Sequence, residues 1–350
     1  MAPTQNTTLQ YLKIPQGYPV PGETTKKVVS EIDLDTVPLN GGLLLKQKAL
    51  SLDPYMKGRM RAADTSSYIP PFTPNAPLSG YAVGEVLRSE SDNFKVGDAV
   101  YGMTEFSTYA VVPKQMLGYC KVIENKEGLP WTQLVGGAGM SGQTAYWSFY
   151  NIGKPKKGET IYITAAAGAV GQIVLQLAKR EGLKVVASCG DAAKSLIMVS
   201  FFSPLQLEFC KSIGADVVVN YKDGADAVEK VMREHPCDIF YDNVGGEQLD
   251  LALATCNTFG RIIACGGISA YSSGIHPLKN YMQIVVKQLR WEGFIISGKD
   301  MTEFFKEMPK LIADGTIKVR EHVVKGIDDG EAFLDLLTGK AQGKVVISLE

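Results

Sequence analysis

The sequence predicts a two-domain α/β protein, a small β domain joined to a doubly wound parallel sheet. Three observations carry this prediction. The chain has 350 residues, more than a single hydrophobic core usually holds. Its first third consists of short β-type runs separated by Gly and Pro. From about Thr160, apolar runs alternate with helical patterns, which is how a parallel sheet with crossover helices is written in sequence. Hydrophobic residues make up 45% and charged residues 21%, ordinary globular usage that gives no reason to expect extensive disorder.

In the first third, strands are expected at Leu43 to Leu52, Gly80 to Arg88, Ala99 to Met103 and Thr108 to Val112. Between the first two, SSYIPPFTPNAP (Ser66 to Pro77) carries four prolines. Its missing N–H groups and fixed φ angles exclude a helix or a central strand, so it is read as a surface loop. Six further strands follow at Thr160 to Thr164, Lys184 to Ser188, Asp216 to Val219, Asp238 to Tyr241, Arg261 to Cys265 and Leu289 to Ile296. Six parallel strands with crossovers make a complete dinucleotide-binding unit. The terminal GKVVISLE is a further strand, able to return to the first domain.

A net charge of -1 and the lack of a basic block argue against a nucleic-acid-binding protein, which needs a surplus of Lys and Arg on one face. The six cysteines are scattered without a CxxC pair and read as reduced thiols. The N-terminal MAPTQNTTLQYLKIPQG lacks the apolar core of a signal peptide, and no run is long enough for a membrane span. Cytoplasm is the expected location, with no membrane partner.

TIYITAAAGAVGQIVLQLAKREG is a strand, a turn of small residues (Ala165 to Gly171) and an amphipathic helix. This order places backbone N–H groups at a helix N-terminus where a pyrophosphate can reach them. Ala166 takes the first position of the usual GxGxxG, with Gly168 and Gly171 in the second and third, so the bare pattern is weak and the strand–helix context gives it specificity. The second strand ends at Gly190, where NAD-binding proteins carry an acid for the ribose hydroxyls. The acid is missing at 190 itself, Asp191 follows one position later, and Lys194 close behind favours NADPH, because a lysine can meet the 2′-phosphate.

The segments LSLDPYMKGRM, GDAVYGMTEFSTYAVV, GGAGMSGQTAYW, AAAGAVG, IGADVVVNYK, FYDNVGGE, GRIIACGGISAY and GKVVISL together resemble the prostaglandin reductase, leukotriene dehydrogenase and alkenal double-bond reductase branch of the medium-chain dehydrogenase/reductases, over nearly the whole chain. The resemblance implies a GroES-like β domain (1–134 and 312–350) and a Rossmann domain (135–311), with substrate bound between them, and a homodimer. It also implies NADPH-driven reduction of the carbon–carbon double bond of an α,β-unsaturated ketone or aldehyde. Hydride would go to the β-carbon, and hydrogen bonding would stabilise the enolate. Lys194 and Tyr221 would hold the 2′-phosphate end, and Asn243 would sit near the nicotinamide-side ribose. Met140, Thr144, Ala167, Gly168, Ala169, Val170, Gly190, Gly266, Tyr271 and Gln342 would supply other cofactor contacts. Tyr55 would be the catalytic candidate. Where relatives carry a tyrosine implicated in proton donation this chain has Val286, and Tyr281 is out of register. Water, the ribose hydroxyl or Tyr55 are then the candidate donors.

Zinc alcohol dehydrogenases of the same superfamily bind a catalytic metal at two places where this chain reads Ser51-Leu52-Asp53 and Gly80-Tyr81-Ala82. No metal is therefore expected, and the reaction should be one that needs no Lewis acid. A zinc-independent quinone oxidoreductase and a non-catalytic nucleotide-binding protein remain as alternative readings. SLIMVSFFSPLQ (Ser195 to Gln206) interrupts the family pattern with an apolar run. It is read as a cover for the adenosine end, a partner surface or a translated intron.

Overall fold

The computed structural model describes residues 3–190 and 206–350, and Lys194 and nearly all of the Ser195 to Gln206 run lie outside them. The chain divides into two compact units, Met1–Met140 with Glu321–Glu350, and Ser141–Arg320.

The first unit opens with β1 (Thr4–Tyr11), β2 (Thr25–Ile32) and β3 (Leu43–Ser51), followed by the short helix α1 (Tyr55–Arg59). After the proline-rich loop come β4 (Ala76–Pro77), β5 (Ser79–Ser89), β6 (Ala99–Glu105), β7 (Tyr109–Val112) and β8 (Cys120–Val122), then helix α2 (Trp131–Val135). The loop ends in the two-residue strand β4, which pairs with the edge of β1 at Gln10 and Tyr11, a place where a proline's missing N–H costs no central ladder bond. Strand β3 reads LLLKQKALS without clean alternation because it lies inside the larger sheet. It pairs with β5 and β7, and seven of its nine residues are buried.

The second unit starts within α3 (Met140–Ser148) and continues through β9 (Thr160–Ile163), α4 (Gly171–Arg180), β10 (Lys184–Cys189), α5 (Gln206–Ser212), β11 (Val217–Asn220), α6 (Ala225–Glu234) and β12 (Ile239–Asp242). Then follow α7 (Gly246–Thr255), β13 (Arg261–Ala264), α8 (Ala270–Ser273), α9 (Gln283–Val286), β14 (Arg290–Gly293) and α10 (Thr302–Ala313). The strand order is β11-β10-β9-β12-β13-β14, all parallel. This is the doubly wound order with its reversal between β9 and β12, where ligands of such sheets bind outside the carboxyl ends of the strands. Tyr162 and Phe240, on those two strands, stack with centroids 5.5 Å apart in the core. Strand β14 closes one edge and is exposed along its length.

The chain returns to the first unit through β15 (Glu321–Lys325), α11 (Glu331–Thr338) and β16 (Lys344–Ser348), which joins the larger sheet antiparallel to β3. Just before that return, two glutamines one turn apart on α4 imitate a strand partner. The Gln172 amide donates to Arg320 O (3.1 Å) and accepts from Arg320 N (2.7 Å), and Gln176 does the same with Lys318, both at 2.8 Å. These bonds keep residues up to Arg320 in the second unit, beyond the expected boundary after 311. At the other crossing, α2 packs with Trp131 and Val135 on the first unit's core, which carries that unit past 134 to Met140.

Candidate functional site

The second unit places its small-residue turn at the carboxyl end of β9. Ala165 adopts φ 48°, a left-handed conformation that turns the chain sharply from the strand. A Cβ on Gly171 would lie 2.8 Å from Ala166 Cα, and one on Gly168 would lie 3.1 Å from Ala165 O. Position 171 therefore demands glycine for close backbone packing, and Gly168 leaves a side chain little room. Ala167 is buried, while Gly168, Ala169 and Val170 are partly open just ahead of α4. In the first turn of α4, Gln172 N donates to Gly168 O and Ile173 N and Val174 N donate to Val170 O, each at 3.1 Å, so the fit to a pyrophosphate rests on the small, partly open residues ahead of the helix and on the positive end of its dipole.

Beside the turn, β12 ends in Asp242, and Asn243 follows directly. Asp242 is buried, and its Oδ1 accepts from Thr164 Oγ1 (3.3 Å), Val244 N (3.0 Å) and Gly245 N (2.8 Å). Asn243 donates from Nδ2 to Thr164 O (2.7 Å) and from its backbone N to Thr164 Oγ1 (2.8 Å). Thr164 thus ties the ends of β9 and β12 together at the sheet reversal. What the Asn243 amide can still offer a ligand is its acceptor oxygen and its second N–H. Gly266, after β13, comes so close to this loop that a Cβ there would lie 3.1 Å from Asn243 O. Sequence reasoning gave Thr164 and Asp242 no role, although both lie within quoted segments.

Burial pushes the Asp242 carboxyl up to about 6, against the lowering by the Gly245 and Val244 N–H groups and by Thr164. Its folded value then lies above the unfolded one. The folded state holds the extra proton between roughly pH 4 and 6, and stability falls as the pH rises through that window, with the full cost of the buried charge present above it. Because every bond is accepted by Oδ1, Asp242→Asn keeps the acceptor and removes the charge. The variant is expected to be more stable than the parent at pH 8 by roughly 1–3 kcal/mol, and to lose the slope between about pH 4 and 6. Thermal denaturation of both proteins across that range checks this.

At the end of β10, a Cβ on Gly190 would lie 2.6 Å from Cζ and 2.8 Å from the hydroxyl oxygen of Tyr221. The ring of Tyr221, itself 43% exposed in the turn after β11, fills the space a side chain at 190 would need. Glycine here does more than omit an acid: it makes room for the tyrosine. Met140 begins α3, and Thr144 lies buried one turn further on. Tyr271 is half-buried in α8, and Gln342 is half-buried just before β16. Val286 and Tyr281 are both exposed, at 68% and 60%, around the short α9.

In the first unit Tyr55 opens α1. Its hydroxyl is buried and has no hydrogen-bond partner among the described residues. Burial, and after it the charge of Asp53, holds its pKa well above the ordinary phenol value, against a lowering by Arg59. Arg59 donates to Pro70 O (3.1 Å), Ser79 O (2.5 Å) and Ser79 Oγ (3.0 Å), and its guanidinium also interacts with the Tyr55 phenol without completing a hydrogen bond of good geometry to it. Tyr81 stacks on Tyr101 at 5.6 Å, and burial raises its phenol pKa too. Ser51 Oγ donates to Asp53 Oδ2 (2.5 Å), and Lys344 Nζ donates to Asp53 Oδ1 (2.9 Å). Among the described residues no three His, Cys, Asp or Glu side chains are grouped to hold a metal ion, and no helix is long and apolar enough to cross a membrane.

Comparison with known proteins agrees with this architecture. Residues 10–119 match the family described as N-terminal domain of oxidoreductase, and residues 169–314 match the family described as zinc-binding dehydrogenase. An NADP-dependent oxidoreductase, RED1 of Cochliobolus heterostrophus, is 40% identical over 357 residues, covering 99% of this chain and 98% of the relative. A 2-alkenal reductase (NADP(+)-dependent) of Nicotiana tabacum is 35% identical, covering 95% and 94%. Among solved structures, CurA of Vibrio vulnificus in complex with NADPH superposes with a TM-score of 0.79 at 31% identity, covering 98% of this chain and 99% of that one. With a β domain, a six-stranded Rossmann sheet and relatives of this similarity along its whole length, the chain belongs to the medium-chain dehydrogenase/reductase superfamily of oxidoreductases.

Proposed function

We propose that the protein is an NADPH-dependent reductase of the alkenal and prostaglandin reductase branch, acting without zinc on the carbon–carbon double bond of α,β-unsaturated ketones and aldehydes. The observation that carries this reading is the buried, unpartnered hydroxyl of Tyr55. Its phenol stays protonated at neutral pH, so it is a neutral donor held ready for an acceptor, and an enone oxygen gains negative charge as the double bond is reduced. The name of the tobacco relative supports the same substrate class.

The turn from Ala167 to Val170 receives the pyrophosphate, and Gly190, Lys194 and Tyr221 receive the adenosine 2′-phosphate. Asn243 and Gly266 serve the nicotinamide-side ribose, and Met140, Thr144, Tyr271 and Gln342 complete the cofactor's contacts. NADPH supplies a hydride when bound. Tyr55 donates its O–H to the substrate carbonyl oxygen and holds the enolate once the β-carbon has gained the hydride, and a proton from water reaches the α-carbon.

Product analysis with NADPH deuterated at the transferring position tests the proposal, using 3-nonen-2-one as substrate. Deuterium is expected at the β-carbon of the saturated ketone. Turnover of quinones with none of any enone, or deuterium on the carbonyl carbon of an alcohol product, would overturn the reading.

A further inference from the structure

Lys344 is the first residue of β16 and 1% exposed, and a buried ammonium in a first-unit core needs an explanation. Its Nζ donates to Leu52 O (2.6 Å) and to Asp53 Oδ1 (2.9 Å), and the Asp53 side chain is only 3% exposed. The second carboxylate oxygen accepts from Ser51 Oγ (2.5 Å). The two acceptors of the ammonium, Leu52 and Asp53, and the donor Ser51 form the stretch Ser51-Leu52-Asp53, and Pro54 and Tyr55 follow directly. The ammonium therefore ties down, by one backbone and one side-chain bond, the turn from which α1 starts.

The charges around this pair are few. Asp53 acts on the phenols of Tyr55, Tyr81 and Tyr68, raising the pKa of each, while Arg59 lowers those of Tyr55 and Tyr68 and Arg61 lowers that of Tyr68. Glu321 of β15 is the register partner of Lys344 across the ladder. Burial raises its carboxyl pKa, and Thr132 and then Lys344 lower it. Lys344 thus acts on two carboxylates, bonded to Asp53 and felt by Glu321 only through its charge. Only Asp53 lies on the Tyr55 side of the sequence and is bonded to the ammonium. Without the lysine, a buried carboxylate would face the same region in which an enolate must form, and like charges in a poorly solvated site repel strongly.

We propose that Lys344 is a positioning residue for Tyr55, neutralising Asp53 and fixing the Leu52–Asp53 backbone so that the Tyr55 hydroxyl meets an oxyanion in a region without net negative charge. This rests on the reading of Tyr55 as the oxyanion donor, and the test separates the two. Lys344→Met, Lys344→Met/Asp53→Asn and Lys344→Met/Glu321→Gln are compared with the parent.

With NADPH and 3-nonen-2-one, Lys344→Met is expected to lose kcat on the order of 10- to 100-fold at about pH 8, with a smaller change in KM. Activity should recover as the pH is lowered toward about 5.5, because an unpaired buried carboxylate favours its protonated form. The melting temperature of the variant should approach that of the parent over the same range, since an acid with a raised folded-state pKa regains its lost stability as the pH falls from that value toward the unfolded one. Asp53→Asn should abolish both pH dependences and restore most of kcat, while Glu321→Gln should not.

Fluorotyrosine at position 55, read by fluorine NMR without cofactor or substrate, supplies a signal independent of turnover. Its resonance should titrate in Lys344→Met and stay constant in the parent and in the Asp53→Asn double variant. A parent inactive on every enone would overturn the proposed function, and the fluorine titration would still decide the role of Lys344. A pH-independent loss that Asp53→Asn fails to rescue, kcat within about twofold of the parent, or a fluorine signal indifferent to Lys344 would each overturn the positioning role.

Discussion

Tyr55→Phe is expected to lower kcat on the order of 100-fold while leaving the protein as stable as the parent or slightly more so. The two halves of this result have one cause. The hydroxyl is buried without a partner among the described residues, so the resting protein carries the cost of desolvating it and gains no hydrogen bond in return. Removing it deletes no resting hydrogen bond of good geometry and is worth up to about 1 kcal/mol of stability. The hydroxyl's benefit appears only when a substrate oxygen becomes an anion, and loss of one such donor typically costs 10²–10³ in rate, an order-of-magnitude figure. Steady-state kinetics with an enone and a thermal melt of the same preparation check both halves. Unchanged kcat would remove Tyr55 from the mechanism, and a large fall in melting temperature would mark it as a packing tyrosine.

Gly190→Asp is expected to raise KM for NADPH about 100-fold or more, through two effects that Gly190→Ala separates. A Cβ at this position lies 2.6 Å from Cζ of Tyr221, so even alanine must push the ring aside. That displacement alone should raise KM roughly tenfold, since overpacking costs about 1–3 kcal/mol where a neighbour must shift. Aspartate adds a carboxylate where the 2′-phosphate would sit, and that repulsion accounts for the rest. Cofactor titrations by fluorescence of bound NADPH, with NADH in parallel, measure both. If Gly190→Ala and Gly190→Asp weaken NADPH equally, charge plays no part in the preference. If neither weakens it, the adenosine end lies elsewhere.

Much of the second unit was legible in the sequence because its signals are local. Apolar runs alternating with helical segments gave all six strands of the Rossmann sheet to within a few residues. The turn from Ala165 to Gly171 could be read because only small residues permit so close a backbone approach. The first unit was harder. β1 reads TQNTTLQY and β2 reads TKKVVSEI, both largely polar and half-exposed. They are strands because they pair with each other across the register Thr4↔Ile32 to Tyr11↔Thr25, a property of neither segment alone. Gly190 was noticed for the acid it lacks, yet its steric reason, the ring of Tyr221, comes from a neighbouring strand. Asn243 was noticed as a ribose ligand, while its bond to Thr164 O spans 79 residues.

Sequence alone determined the class of fold and the place of the small-residue turn, since these depend on periodicity and backbone freedom, both short-range along the chain, while Tyr55 entered only through the family resemblance of its DPYM motif. Only the tertiary structure decided which polar groups are spent on one another and which are left for a ligand. Asp53 and Lys344 are 291 residues apart in the chain and 2.9 Å apart in space. No local pattern records that meeting, because it depends on where β16 returns to the sheet. The same return buries the charge pair beside the start of α1, whose first residue is the unpartnered Tyr55.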